Sequence, residues 1–229
     1  MKILVFGHSG QVATELRALD GDDVQITALA RSDADLTDPA SCAALIDAYA
    51  PDAVINAAAY TAVDKAESDA ETAHLINAMS PAAMARACAA RDIPFVSIST
   101  DYVFSGTGDT PWAPADPTDP QGVYGRTKRD GELAIAVAGG RHAVLRTSWV
   151  VSPHGNNFVK TMLRFASECE ALTIVSDQIG GPTCAAEIAL ACVTIAKTLV
   201  VESEKSGIYH FSSAPDTSWA NFARAIFDA

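Results

Sequence analysis

The sequence predicts an α/β fold in which a parallel sheet is wound on both faces by helices, with a small lobe at the C-terminal end. Three observations carry this expectation. Apolar, β-rich runs alternate with Ala-rich helical runs. The first run opens straight into the glycine loop Gly7-His8-Ser9-Gly10. After Arg146 the alternation loosens, broken by Pro153, Gly155, Gly180, Gly181 and Pro182, which places a separate lobe there.

Taken in order, strands are expected at Ile3–Phe6, Val24–Leu29, Ala53–Asn56, Phe95–Ser99 and Ala143–Arg146. Helices follow at Gln11–Leu19, at Pro39–Tyr49 with Thr37 or Asp38 as N-cap, along Val63 to Ala90 with a break near Pro81, and at Tyr124–Ala138. A last helix covers Trp219–Phe227. Residues 1–150 form the expected dinucleotide-binding unit and 151–229 the lobe.

With 229 residues the chain can bury the core of such a domain. Its 16 Lys and Arg against 28 Asp and Glu give a formal charge of −12, which opposes a general role on phosphate backbones. Nucleic acid is not an expected partner. The cysteines Cys42, Cys88, Cys169, Cys184 and Cys192 form no Cys-x-x-Cys spacing and read as reduced, packed thiols of a cytoplasmic protein. The start of the chain reaches its glycine loop too soon to hold a signal-peptide core. The longest apolar segment, Ala185 to Val201, carries Glu187 and Lys197 and reads as an amphipathic helix, so no membrane partner is expected. His8, His74, His142, His154 and His210 form no ligand-like cluster, and no metal is expected.

The glycine loop sits where a doubly wound, Rossmann-like sheet binds a dinucleotide. Gly7 and Gly10 let the backbone turn and approach a pyrophosphate, with Ser9, Gln11 and Val12 at the start of the first helix offering N–H groups. Ala13 stands in place of a third glycine. At the end of the second strand, Arg31 can pair a ribose 2′-phosphate, or it is a solvated surface arginine. Asp35 and Leu36 can edge the adenine, while Asp35 serves equally as a turn residue before the next helix. Ala57, Ala58, Ala59, Tyr60 and Thr61 follow the third strand; their small side chains let main chain lie against a flat ligand, or pack sheet to helix. The first-turn acids of Val63-Asp64-Lys65-Ala66-Glu67 suit a helix N-terminus.

Tyr124 and Lys128 stand four apart and share a helix face, so the ammonium can sit beside the phenol and favour its ionised form. A phenol of pKa about 10 then becomes a usable proton donor near neutrality. With Thr100 ending an apolar run, this set reads as a nicotinamide-dependent carbonyl reductase using NADPH or NADH. The loop between Gly106 and Gly122, long and rich in Pro, Asp and Gly, is expected to face the substrate.

Several longer motifs narrow the reading. They are Asn56-Ala57-Ala58-Ala59-Tyr60-Thr61-Ala62-Val63-Asp64-Lys65-Ala66-Glu67, Ser99-Thr100-Asp101-Tyr102-Val103-Phe104, Tyr124-Gly125-Arg126-Thr127-Lys128, Arg146-Thr147-Ser148-Trp149-Val150, Gly155-Asn156-Asn157-Phe158 and Asp177-Gln178-Ile179-Gly180-Gly181-Pro182-Thr183. In this order, and behind the glycine loop, they resemble the dTDP-4-dehydrorhamnose reductases, a group of extended short-chain dehydrogenases/reductases. The resemblance covers nearly the whole chain.

The resemblance implies reduction of the C4 keto group of dTDP-4-dehydro-6-deoxy-L-mannose to dTDP-L-rhamnose. It gives Tyr124 the proton transfer, Lys128 the stabilisation of the tyrosinate and the nicotinamide ribose, and Thr100 a hydrogen bond to the carbonyl oxygen. It also implies sugar contacts from Asp101 and Tyr102, an apolar wall from Trp149, and diphosphate or thymine contacts from Asn156, Asn157 and Gln178. For Trp149 core filling is an equal alternative, and loop Asn residues often satisfy local backbone.

Two departures stand out. Gly122-Val123 occupies the place of the group's usual Asn-Val, and the group's pattern continues past residue 229, so the sugar-nucleotide lobe is expected to be incomplete. Two other functions stay open: a sugar-nucleotide epimerase or dehydratase, which shares the Tyr–Lys machinery, and a non-catalytic NADP-binding regulatory subunit, which shares the fold and against which the intact Thr100, Tyr124 and Lys128 argue. The expected assembly is a homodimer.

Overall fold

In the computed structural model, which describes residues 1–229, the chain runs β1 (Lys2–Phe6), α1 (Gln11–Ala18), β2 (Gln25–Leu29), α2 (Pro39–Tyr49), β3 (Ala53–Asn56), α3 (Val63–Ala66), α4 (Ala70–His74), α5 (Ser80–Ala90), β4 (Phe95–Thr100), α6 (Val123–Ala138) and β5 (His142–Thr147). There follow β6 (Val150–Val151), α7 (Phe158–Glu168), β7 (Ile179–Gly180), β8 (Thr183–Cys184), α8 (Ala185–Val201), β9 (Gly207–His210), β10 (Thr217–Ser218) and α9 (Trp219–Phe227). No helix is long and apolar enough to cross a membrane.

Side-chain alternation along β1 builds two cores at once. Ile3 and Val5 point to a layer completed by α1 and α8, with Leu16, Val96, Leu145, Ile188 and Cys192. Leu4 and Phe6 point to the opposite layer, formed with α2, α5 and α6 through Ile46, Met84 and Ile135, together with Phe95 of β4. Each fully buried aliphatic side chain contributes about 1.5–3 kcal/mol of transfer free energy, which is why these runs are apolar on both faces.

The six main strands are all parallel, in the order β2-β1-β3-β4-β5-β9. The order reverses between β1 and β3, and a crevice at the C-terminal ends of the strands is the place where such sheets bind ligands. Asp38 caps α2 by accepting from Ser41 N–H at 3.0 Å, and Pro39 fills the first turn, where its missing N–H costs nothing.

Three expectations need correction. The break expected near Pro81 lies elsewhere: the chain leaves the helix after Ala66, and Leu75–Met79 form a π-helical turn, while Pro81 sits harmlessly in the first turn of α5. The division at residue 150 does not follow the layers. Helix α8 covers the sheet and β9 adds its sixth strand, so only β6, α7, β7, β8, β10 and α9 remain outside the sandwich. Of the five thiols, Cys42, Cys88 and Cys192 are buried, but Cys169 and Cys184 are exposed.

Candidate active site

Thr100 ends β4, and Tyr124, Lys128 and Glu132 lie on successive turns of α6. Two close approaches bring them together. A Cβ on Gly125 would stand 2.2 Å from the Tyr102 carbonyl oxygen, and one on Gly131 would stand 2.2 Å from that of Asn77. Both are backbone contacts that only a missing side chain permits, so the glycines seat α6 against the β4 exit and the π turn.

The Thr100 hydroxyl donates to Asp101 Oδ1 at 3.1 Å and accepts from Tyr102 N–H at 3.2 Å. Tyr102, exposed, meets the half-buried Tyr124 ring edge-on at 5.5 Å. Lys128, buried, donates to the Ile98 carbonyl at 2.8 Å. Burial lowers the Lys128 ammonium to about 8, against the opposing pull of the Glu132 carboxylate.

Here the structure corrects the expected effect of the Tyr–Lys spacing. Burial raises the Tyr124 phenol to about 12, and the group acting against that rise is the Thr100 hydroxyl. The four-residue spacing aligns the two residues, but the Lys128 ammonium is held on the main chain of β4 and desolvation dominates the phenol.

The residues of the dinucleotide loop suit a phosphate. Gly7 has φ +121°, and a Cβ there would stand 3.3 Å from the Ala57 backbone, so the loops after β1 and β3 lie against each other at the strand-order reversal. Gly10, the N-cap of α1, has open space around its Cβ position; no side chain caps this helix and no acid sits in its first turn. An uncapped N-terminus presents N–H groups and positive dipole to an anion. Ser9 is exposed beside it and Val12 is buried beneath it. Gln11 turns its side chain elsewhere, donating to the Val150 carbonyl at 3.3 Å and accepting from Ser152 and Asn157 at 2.9 Å.

Past β2, Arg31 is exposed. Asp35 accepts from the Thr37 N–H at 2.9 Å, as a turn residue does, and Leu36 is buried in the second core. Ala57, Ala58, Ala59 and Tyr60 are half-buried and Thr61 is exposed, lining the loop after β3.

On the expected substrate side, Asp101 is exposed beside Thr100. Trp149 takes φ +49°, rare for a bulky residue, and stacks on Trp219 with ring centroids 3.5 Å apart. That face is closed to a sugar. The Asn157 amide is committed to protein: its oxygen caps α7 through Lys160 N–H at 3.1 Å, and its nitrogen donates to Gln11 and to the Ser152 carbonyl at 2.9 and 2.7 Å. The long loop is anchored where Phe104 stacks on Trp112 at 4.8 Å and Arg146 donates to the Pro114 carbonyl at 3.2 Å.

Residues that the motifs did not single out hold the site from behind. Glu132 accepts from Ser99 Oγ and pairs with Arg146. Asn77 on the π turn accepts from Tyr60 N–H at 2.8 Å and donates to the Tyr60 carbonyl and Thr127 Oγ1, each at 3.1 Å. Thr127 in turn donates to the Tyr124 carbonyl at 2.9 Å, tying the loop after β3 to α6. Glu132 had a sequence signal, since it continues the four-residue spacing of Tyr124 and Lys128. Asn77 had none inside its Ala-rich segment. No three His, Cys, Asp or Glu side chains converge as metal ligands.

The geometry can be set beside known proteins. A relative from Sinorhizobium fredii, named dTDP-4-dehydrorhamnose reductase, is 44% identical over 229 residues, 99% of this chain and 77% of that protein. The crystal structure of a dTDP-4-dehydrorhamnose reductase from Clostridium acetobutylicum matches with a TM-score of 0.92 at 35% identity, over 100% of this chain and 80% of that one. A dTDP-4-dehydrorhamnose reductase from Bacillus anthracis, solved in complex with NADP, matches with a TM-score of 0.91 at 33% identity, over 99% of this chain and 80% of that one. The family model described as RmlD substrate binding domain matches residues 1–229. With the sheet order, the glycine loop and the Thr100–Tyr124–Lys128 cluster all lying inside that match, this chain belongs to the RmlD substrate binding domain family.

Proposed function

We propose that this chain reduces the C4 keto group of dTDP-4-dehydro-6-deoxy-L-mannose with NADPH or NADH, giving dTDP-L-rhamnose. What supports the reading is Thr100 at the end of β4, Lys128 on α6 bonded to Ile98 of the same strand, and Tyr124 one turn before it, in a chain 44% identical to a reductase of that name.

When bound, the nicotinamide supplies hydride to the carbonyl carbon. The protein's part is the proton. With its phenol pushed up to about 12, Tyr124 is fully protonated at neutral pH, as a donor to the developing alkoxide must be. Lys128 uses one of its three donors on Ile98, leaving two for the cofactor ribose, and its charge stabilises the tyrosinate once the proton has moved. Thr100 reorients its hydroxyl from Asp101 to the substrate oxygen. Gly7, Gly10 and the uncapped start of α1 hold the pyrophosphate, and Arg31 is free to meet a 2′-phosphate. Asp101 and Tyr102 face the sugar. The expected setting is cytoplasmic, and light scattering tests the homodimer.

The test is incubation of the protein with NADPH and the 4-keto sugar nucleotide. One nicotinamide oxidised per keto sugar, with cofactor that exchanges in dialysis, is the reductase result. Tightly held cofactor with no net consumption marks an epimerase, and NADPH binding without turnover marks a regulatory subunit.

A further inference from the structure

Glu67, just past the end of α3, reaches across to the start of α6, where its Oε1 accepts from the Val123 backbone N–H at 2.7 Å. Val123 is the first residue of that helix, and Gly122 before it offers no side chain to cap it. The glycine also leaves the room: a Cβ at 122 would stand 3.0 Å from Glu67 Oε1. An anionic acceptor on the first amide of a helix satisfies an orphan donor and complements the positive end of the dipole. The amide it holds is one residue before Tyr124, and the segment it comes from continues directly from Ala57–Thr61. A second link, Tyr60 to Asn77 to Thr127 to Tyr124, joins the same two regions one turn further along.

We propose that Glu67 is a positioning residue for Tyr124: it caps α6 from the segment after β3 and so fixes the first turn of that helix against the dinucleotide loop. This rests on the reading of Tyr124 as proton donor. Glu67 makes no claim on the reacting atoms; it acts through the helix. With a glycine at the N-cap position no local side chain holds any amide of this first turn, and Glu67 supplies its acceptor from a distance.

The experiment uses the full chain with Glu67→Ala, Glu67→Gln and the double variant Glu67→Ala/Gly122→Asn. Turnover with NADPH and the keto sugar nucleotide, NADPH affinity by fluorescence, and amide exchange over residues 122–127 are measured for each. Glu67→Ala is expected to lower kcat about tenfold, with NADPH affinity changed by less than about twofold, because a misplaced first turn displaces the phenol and leaves the cofactor loop intact. Glu67→Gln keeps an acceptor oxygen and is expected to retain most of the turnover. The Gly122→Asn change supplies a local N-cap on the amide of Tyr124 or Gly125, in space vacated by Glu67, and by fixing the same first turn is expected to restore the double variant.

Wild-type turnover in Glu67→Ala, a loss in Glu67→Gln as large as in Glu67→Ala, or no rescue by Gly122→Asn each overturns the proposal. If Glu67→Ala fails to fold, the Gln variant and the folding of the double variant decide it by the same criteria. If the wild-type protein does not reduce the keto sugar, the reductase reading fails by itself. Exchange at residues 122–127 then decides the cap: faster exchange in Glu67→Ala supports it, and unchanged exchange overturns it.

Discussion

Glu132 and Arg146 meet as a two-pronged ion pair in the interior, Nη2 to Oε2 at 2.7 Å and Nε to Oε1 at 3.0 Å, each side chain 4% exposed. The pair bridges the helix of Tyr124 and Lys128 to the sheet. From the sheet, Arg146 extends to the long loop through Pro114 and lies over the Phe104 ring at 4.9 Å. It also donates to His210 Nε2 at 3.4 Å, while His210 Nδ1–H donates to the Trp112 carbonyl at 3.1 Å. Burial, aided by the Arg146 charge, holds His210 below its usual pKa, consistent with that neutral tautomer.

Arg146→Met is therefore expected to destabilise the protein by about 3–5 kcal/mol, since it strands a buried carboxylate. Glu132→Gln added to it removes that charge and is expected to recover part of the loss. Urea unfolding of both variants checks this; a double variant less stable than the single would mean that Glu132 does not depend on Arg146.

Tyr124→Phe is expected to lower turnover by about two to four orders of magnitude, with NADPH affinity nearly unchanged, because the phenol proton is lost and the ring is kept. Steady-state kinetics and cofactor titration measure the two separately. Near-normal turnover would remove Tyr124 from the mechanism.

Lys128 gives a pH signature. The folded protein releases its proton near pH 8, while the unfolded chain holds it to 10.5, so the unfolded state binds more protons in that interval and stability rises with pH there. Tyr124 has the opposite slope only between 10 and 12, leaving pH 8 to 10 to Lys128. Relative to Lys128→Met, the wild-type protein is expected to gain about 2 kcal/mol across that window, because each pKa unit is worth about 1.4 kcal/mol. The buried thiols titrate alike in both proteins and cancel. Urea unfolding at several pH values tests it, and a flat difference would mean an ordinary lysine.

Gly125→Ala forces a Cβ to 2.2 Å from the Tyr102 carbonyl and 2.9 Å from Pro120 Cβ, so the β4 exit must retreat from α6. The expected cost is about 1–3 kcal/mol in stability, with a larger proportional loss of kcat than of NADPH affinity. Gly21→Ala, with nothing within 4 Å of its Cβ position, serves as the control. Equal effects of the two would dismiss the close approach.

Arg31→Ala is expected to weaken NADPH by about 1–3 kcal/mol and to leave NADH nearly unchanged, since only NADPH carries the 2′-phosphate. Paired titrations measure it. Equal weakening would give Arg31 a role on the adenine or in the fold.

Five of the six sheet strands, α1, α2, α6, α8 and α9 were legible in the sequence because each rests on a local pattern: a β-rich run, a capping Asp, or an apolar stripe. The alignment of Tyr124 with Lys128 was legible for the same reason, since 3.6 residues per turn fixes it without any tertiary contact. What the sequence could not decide depends on partners far along the chain. β9 is a four-residue edge strand whose identity rests on pairing with β5, more than 60 residues earlier. Asn157 is a helix cap tied to Gln11, 146 residues away, and Trp149 is stacked on Trp219. The Tyr124 and Lys128 ionisations were decided the same way, because desolvation is set by everything that surrounds a group and no spacing along a helix encodes it.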